Sequence, residues 1–224
     1  MPLILRRLPA PTGESLFRLL ESLGEKATSV ALSPDAGIWE CRGRQRIHTH
    51  SSAMCWAGMN RLAVIAARLD LSDRAAYWNM IADPLHVELL ERAWYPKREA
   101  FTAAFGSDDL DASVLLLPDL GICEVNDPRF IKTVAAMERE KHVMCYADED
   151  DFGLAVTAFL ICRFWLIDAW WSLGRRDEAR DFLWMLWRTA IGMGCYRKMS
   201  IRNLERYSEI SLRLIPWLGS FSPV

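Results

Sequence analysis

Apolar residues recur at helical spacing over most of this chain. From Ser15 to about Thr28, Leu16, Leu19, Leu20 and Leu23 recur at helical spacing, which predicts a helix with a leucine stripe. A second helix is expected from about Thr49 to Leu69, with Met54, Ala57, Leu62 and Ile65 on one stripe. Ser72 is placed to cap a third helix that reaches Trp94, with a kink at Pro84. Asp108 to Leu117 reads as a short apolar helix that stops near Pro118. Asn126 or Asp127 caps the next, with Pro128 at its first position and an end near Lys141. Leu154 to Leu173 and Asp177 to about Ile191 form two long helices. Gly174-Arg175-Arg176-Asp177 between them is a stop-and-recap turn.

Alternating patterns are scarce. Trp94 to Phe105 reads as a short extended excursion around Pro96-Lys97-Arg98-Glu99, His142 to Tyr146 as a brief strand, and Asp148 to Asp151 as an acidic loop. The fold class expected is therefore all-α, an array of helical hairpins arranged as a bundle or an α/α toroid. No internal repeat sets a period. The first helix is followed by a loop, Asp35-Ala36-Gly37-Ile38-Trp39-Glu40-Cys41-Arg42-Gly43, with Pro34 just before it. Its two glycines mark it as loop, and its Trp-Glu pair puts a carboxylate behind a flat apolar ring. Loops held by rigid helices carry a disproportionate share of catalytic groups.

Composition narrows the function classes. A chain of 224 residues can bury about 70% of its unfolded surface. Its 51% apolar and 25% charged residues are an ordinary globular balance. The net charge of −2 gives no electrostatic reason to expect a nucleic-acid or membrane partner. No stretch approaches the ~20 apolar residues of a membrane span. The start, Met1-Pro2-Leu3-Ile4-Leu5-Arg6-Arg7, is too short in apolar residues for a secretory leader, so a cytoplasmic location is expected. The cysteines, Cys41, Cys55, Cys123, Cys145, Cys162 and Cys195, lack framework spacing and read as reduced thiols. Ten tryptophans serve mainly a core, although the indole face and N–H also suit sugar rings.

Other candidate motifs have bland readings. His48, His50 and Cys55 offer nitrogen and sulfur donors without a standard zinc spacing, so neither metal nor other cofactor is expected. Arg42, Arg44 and Arg46 form a basic patch in one loop, able to bind an anion or hydroxyls but readable as a solvated face. The run Asp148-Glu149-Asp150-Asp151 lacks calcium-loop spacing. No P-loop, dinucleotide fingerprint, G-x-S-x-G elbow or H-E-x-x-H occurs.

Four segments in order, PDAGIWECRG (Pro34 to Gly43), HSSAMCWAGMNR (His50 to Arg61), FGSDDLDASVLLLP (Phe105 to Pro118) and TAFLICRFWLIDAWWSLGRRDEAR (Thr157 to Arg180), resemble bacterial members of glycoside hydrolase family fifteen. The family comprises glucoamylase and trehalase-like enzymes. The resemblance implies a six-hairpin α/α barrel, here incomplete and with short extended excursions. It also implies inverting hydrolysis of terminal α-glucosidic bonds, glucoamylase type first and trehalase type second. An α-glucoside or maltooligosaccharide is then the substrate. Carried over, Glu40 is the proton donor, Asp35 and Trp39 line the sugar site, and Arg42 stands beside them. Inversion uses two carboxyl groups ~6.5–9.5 Å apart, one as acid and one as base.

The departures from the family pattern are equally specific. Residues 1–33 form a poorly matched lead-in with one helix, residues 34–192 a partial barrel, and residues 193–224 an atypical tail. Nothing before Pro34 matches the family's N-terminal region, and a homo-oligomer or a missing, separately encoded N-terminal part are the partners left open. A family glutamate expected near the start of the fourth segment is replaced by Ala155, Val156 and Thr157. The family's general base lies in a segment like LLSED-x-DP…GNFPQTYS, which Cys195 to Val224 do not match. Codons allowed for Gly194 onward, read one nucleotide earlier, permit LLSEDVDPQSGTLFGNFPQTYSMVGII without a stop, which fits that segment throughout. The tail is therefore expected to be a frameshifted remnant, with the base codon lying across Arg197 and Lys198, and resequencing the locus tests this. Glu205 and Glu209 are weak substitutes for the base. A sugar-binding remnant and a protein-interaction scaffold are the two non-catalytic alternatives.

Overall fold

The computed structural model describes residues 13–40, 45–139, 149–150, 153–154 and 160–192. The chain divides into two compact units, Met1–Tyr95 with Thr102–Asp109, and Pro96–Phe101 with Leu110–Val224.

In the first unit, α1 (Glu14–Val30) and α3 (Ser72–Arg92) both pack on α2 (Thr49–Arg68). Small residues on α2, among them Ala53, Ala57, Ala63 and Ala66, are buried and let its neighbours approach closely. The expected leucine stripe of α1 faces outward: Leu19 is 60% and Leu23 64% exposed, while Phe17 and Gly24 are buried. The reason is steric. A Cβ on Gly24 would lie 2.3 Å from Leu62 Cδ1 and 2.6 Å from Trp78 Cη2, so α1 meets α2 and α3 through its bare glycine. The same face carries Glu21, whose Oε1 accepts from Trp78 Nε1 at 2.9 Å and from Arg74 Nε at 2.6 Å. Met54 on α2 is likewise exposed, whereas Ala57 and Leu62 are buried.

The turn after α2 closes with Asp70 at φ 59° and the Leu71 N–H on the Ala66 carbonyl at 2.9 Å, the six-to-one bond of a Schellman end. Ser72 is the first residue of α3 rather than its cap: Leu71 holds the cap position, no side chain caps the helix, and the Leu71 carbonyl accepts from Ala75. Pro84 lies inside α3, which continues to Arg92. The unit then includes a two-residue strand, β1 (Trp94–Tyr95).

The second unit contains β2 (Ala100–Phe101), whose Phe101 N–H donates to Thr133 Oγ1 at 2.9 Å. A 3-10 turn, Ala112–Leu116, runs straight into α4 (Leu117–Leu120). Pro118 opens α4 instead of stopping the preceding turn, because the first turn of a helix has no use for its missing N–H. Helix α5 (Pro128–Arg139) begins as expected, with Asp127 Oδ1 accepting from the Arg129 N–H at 2.8 Å. Glu149–Asp150 (β3) pairs antiparallel with Gly153–Leu154 (β4), so part of the acidic run is a strand. That pairing takes Leu154 out of the following helix, and α6 starts at Leu160 and ends at Ser172. The segment His142 to Tyr146 lies outside the described residues.

Helices α6 and α7 (Arg176–Gly192) form a hairpin around Ile167, Ala179 and Leu186, with Trp170, Trp171, Phe182 and Leu183 packed against them. Gly174 at φ 80° ends α6, and the Arg175 N–H reaches the Trp170 carbonyl at 2.9 Å. Glu138 of α5 accepts from Trp170 Nε1 and from the Arg175 guanidinium. Helices dominate and the described strands are two residues long, so the fold class is all-α.

Candidate active site

The loop after α1 is built as a rigid turn. Asp35 and Arg46 form an antiparallel bridge, with N–H to carbonyl distances of 2.9 and 3.1 Å. Asp35 Oδ1 accepts from the Gly37 N–H at 2.8 Å, an Asx turn that starts the bend. Gly37 sits at φ 67°, and the His48 ring occupies the space a side chain there would need. The Glu40 N–H closes the turn on the Gly37 carbonyl at 3.1 Å. Glu40 itself adopts φ 54°, a left-handed conformation that costs a non-glycine residue roughly 1–2 kcal/mol and must be held by its surroundings. Its side chain is exposed, and that of Trp39 is half-buried. Arg42 lies outside the described residues.

The holding comes from Ile47 to Thr49 and the segment 103–109. The Phe105 N–H donates to the Ile47 carbonyl at 3.0 Å and the Thr49 N–H to the Ala103 carbonyl at 2.9 Å. Arg46 Nη1 reaches Asp109 Oδ2 at 2.6 Å and Ser107 Oγ at 3.2 Å, while Ser107 donates to the same Asp109 oxygen at 2.6 Å. Arg46 thus belongs to a brace rather than to a free basic patch. That brace joins the loop carrying Glu40 to the FGSDD segment, two of the sequence stretches that carry the family resemblance.

His48 stands in the cap position of α2 with an extended backbone. His50 and Cys55 follow on that helix. Burial lowers the His50 pKa, against an opposing pull from the Asp35 carboxylate. Burial first, and then Asp35, raises the Cys55 thiol. Both effects disfavour the thiolate of Cys55.

Sequence reasoning missed the polar groups buried at the start of α2. Thr49 and Ser52 are 0% and 1% exposed, and Thr49 Oγ1, Ser52 Oγ, Trp56 Nε1 and His48 Nε2 have no hydrogen-bond partner. The signal was the spacing Thr49, Ser52, Trp56, which sets polar side chains on the face otherwise filled by Ala53, Met59 and Ala63. Trp56 also stacks on His86, with ring centroids 4.7 Å apart.

The second unit holds perturbed carboxyls of its own. Asp168 of α6 is pushed up to about 6 by burial and then by the charge of Asp119, which burial raises as well.

What the loop offers chemically is an exposed carboxyl group on a fixed turn, next in sequence to a half-buried tryptophan. The glycosyl hydrolases family 15 model matches residues 23–148. A trehalase of Mycobacterium tuberculosis is 35% identical over 174 residues, 75% of this chain and 25% of that protein. A trehalase of Mycolicibacterium smegmatis is 34% identical over 217 residues, 93% of this chain and 30% of its own length. A trehalase of Thermoplasma volcanium is 29% identical over 186 residues, covering 81% of this chain and 30% of the relative. The chain thus spans 25% to 30% of the length of these curated relatives.

Proposed function

The chain belongs to glycosyl hydrolases family 15, and on that premise we propose that it carries the proton-donor half of a trehalose-directed α-glucoside hydrolase site. The family's α/α toroid is made of helical hairpins like those described above. Trehalose takes precedence over maltooligosaccharides because the relatives are named trehalases, which reverses the order expected from the motifs. The observation that carries the assignment of Glu40 is the braced Gly37–Glu40 turn, with its carboxylate exposed at the end.

In this reading Glu40 gives its proton to the glycosidic oxygen as the bond from that oxygen to the anomeric carbon breaks. A water, deprotonated by a second carboxylate on the opposite face, forms the new bond to that carbon with inversion. Asp35, Trp39 and Arg42 line the sugar. On this reading the second carboxylate belongs to the family segment whose motif the sequence of residues 193–224 lacks. Hydrolysis by this chain is therefore expected to fall ~10²–10⁴-fold or more below that of a site with both groups.

Glucose release from trehalose, maltose and maltooligosaccharides, paired with calorimetric binding, tests the proposal. The expected result is trehalose binding with little turnover, and binding that survives Glu40→Gln. Rapid turnover abolished by Glu40→Gln would confirm the acid and overturn the missing base. Binding of maltooligosaccharides in preference to trehalose would overturn the substrate order. No binding of any sugar would favour a protein-contact scaffold.

A further inference from the structure

Beside the Gly37–Glu40 turn, His48 carries a buried ring nitrogen, Nε2, without a hydrogen-bond partner. A Cβ built on Gly37 would lie 2.9 Å from His48 Cε1 and 3.0 Å from both Nδ1 and Nε2. Near-equal distances to three ring atoms mean that Gly37 rests over the imidazole ring itself. The ring is anchored from its own backbone, because His48 bridges Ala104 and its neighbours Ile47 and Thr49 bond to Phe105 and Ala103. Its Nε2 is buried, has no hydrogen-bond partner, and stands 4.0 Å from Asp35 Oδ1, beyond hydrogen-bond reach. That carboxylate oxygen is committed to the Gly37 N–H instead.

We infer that His48 is a positioning residue whose ring forms the floor of the Gly37–Glu40 turn and thereby sets where the Glu40 carboxylate stands. The ring acts by shape. It fills the space beneath Gly37, forces that position to be glycine, and leaves the chain to leave the turn through the left-handed Glu40. The Asx bond from Asp35 ties the turn from one side and the ring supports it from below. Neither alone fixes a residue held at φ 54°. The catalytic meaning of this role rests on the reading of Glu40 as proton donor, but the positioning itself does not.

Amide hydrogen exchange of the whole chain, resolved at Asp35, Gly37 and Glu40, separates the two. His48→Ala is expected to speed exchange at Gly37 and Glu40 about tenfold or more, while amides in the middle of α2 and α3 keep their rates. His48→Phe, which refills the floor without a ring nitrogen, is expected to restore the slow exchange. Unchanged turn amides in His48→Ala, an equal rise across α2 and α3, or a His48→Phe that behaves like His48→Ala would each overturn the inference. Glu40→Gln serves as the independent arm. If sugar binding and turnover show that Glu40 is no proton donor while the turn still depends on the ring, the functional reading fails and the positioning stands.

Discussion

Replacing Gly24 by alanine sets two effects of opposite sign against each other. Gly24 lies in the middle of α1, where alanine should favour the helix by about 1 kcal/mol. The added methyl would stand 2.3 Å from Leu62 Cδ1, 2.6 Å from Trp78 Cη2 and 3.2 Å from Trp78 Cζ2, whereas carbon atoms rest at about 3.5–4.0 Å. The end of Leu62 can rotate away. The Trp78 ring cannot, since it is 0% exposed and its Nε1–H is held by Glu21 on the same face of α1 as Gly24. Moving α1 outward to relieve the clash would lengthen that bond. Overpacking of this kind costs about 1–3 kcal/mol, and two overlapped side chains with one immovable ring put it at the upper end. After the helix-propensity gain, the net loss is about 2 kcal/mol, or about 4–8 °C in Tm for a chain of this size.

Urea unfolding of Gly24→Ala beside Gly58→Ala makes the comparison internal. Gly58 is exposed on α2, and a Cβ there meets nothing within 4 Å, so that substitution should stabilise by up to about 1 kcal/mol. If Gly24→Ala raises the midpoint as Gly58→Ala does, α1 does not approach through its glycine and the packing argument is wrong.

Glu21→Ala should cost about 1–3 kcal/mol because the buried Trp78 N–H loses its acceptor, while Glu21→Gln, which keeps one, should cost less; urea midpoints distinguish them. For Asp168 the sign runs opposite to the usual carboxylate. Its folded value of about 6 lies above the ordinary 3.8, so the fold holds a proton that the unfolded chain has released. Its contribution is present below the ordinary value and is lost as pH rises to about 6. Asp168→Asn should flatten that loss and raise stability at neutral pH, measured as urea midpoints from about pH 4 to about pH 7.

The extents of α2, α5 and α7 were legible from helical spacing and end signals. Helix α1 was misread because periodicity finds apolar stripes and cannot say which one is buried. Gly24 on the buried side reads as a breaker, yet its lack of a side chain is what admits Leu62 and Trp78. Ser72 and Pro118 were misplaced by a residue or a turn because backbone carbonyls, not side chains, set those ends. At the candidate site, the loop from Asp35 to Glu40 stood out through its glycines and its Trp-Glu pair. Its supports did not. Single-residue bridges such as Asp35 to Arg46 and His48 to Ala104 have no alternating pattern to betray them. The use of His48 as a floor depends on a three-dimensional approach of its ring to Gly37.

The brace between Arg46 and Asp109 joins residues 63 positions apart, and that separation places the Glu40 loop late in the order of assembly. The hairpin of α2 and α3 is made of neighbours in sequence and can form early, whereas closing a chain segment of this length costs entropy that the helices must first offset. The turn that presents Glu40 should therefore acquire its native geometry only once the helical hairpin is in place, so that slowing α2–α3 docking delays maturation of that turn without touching it.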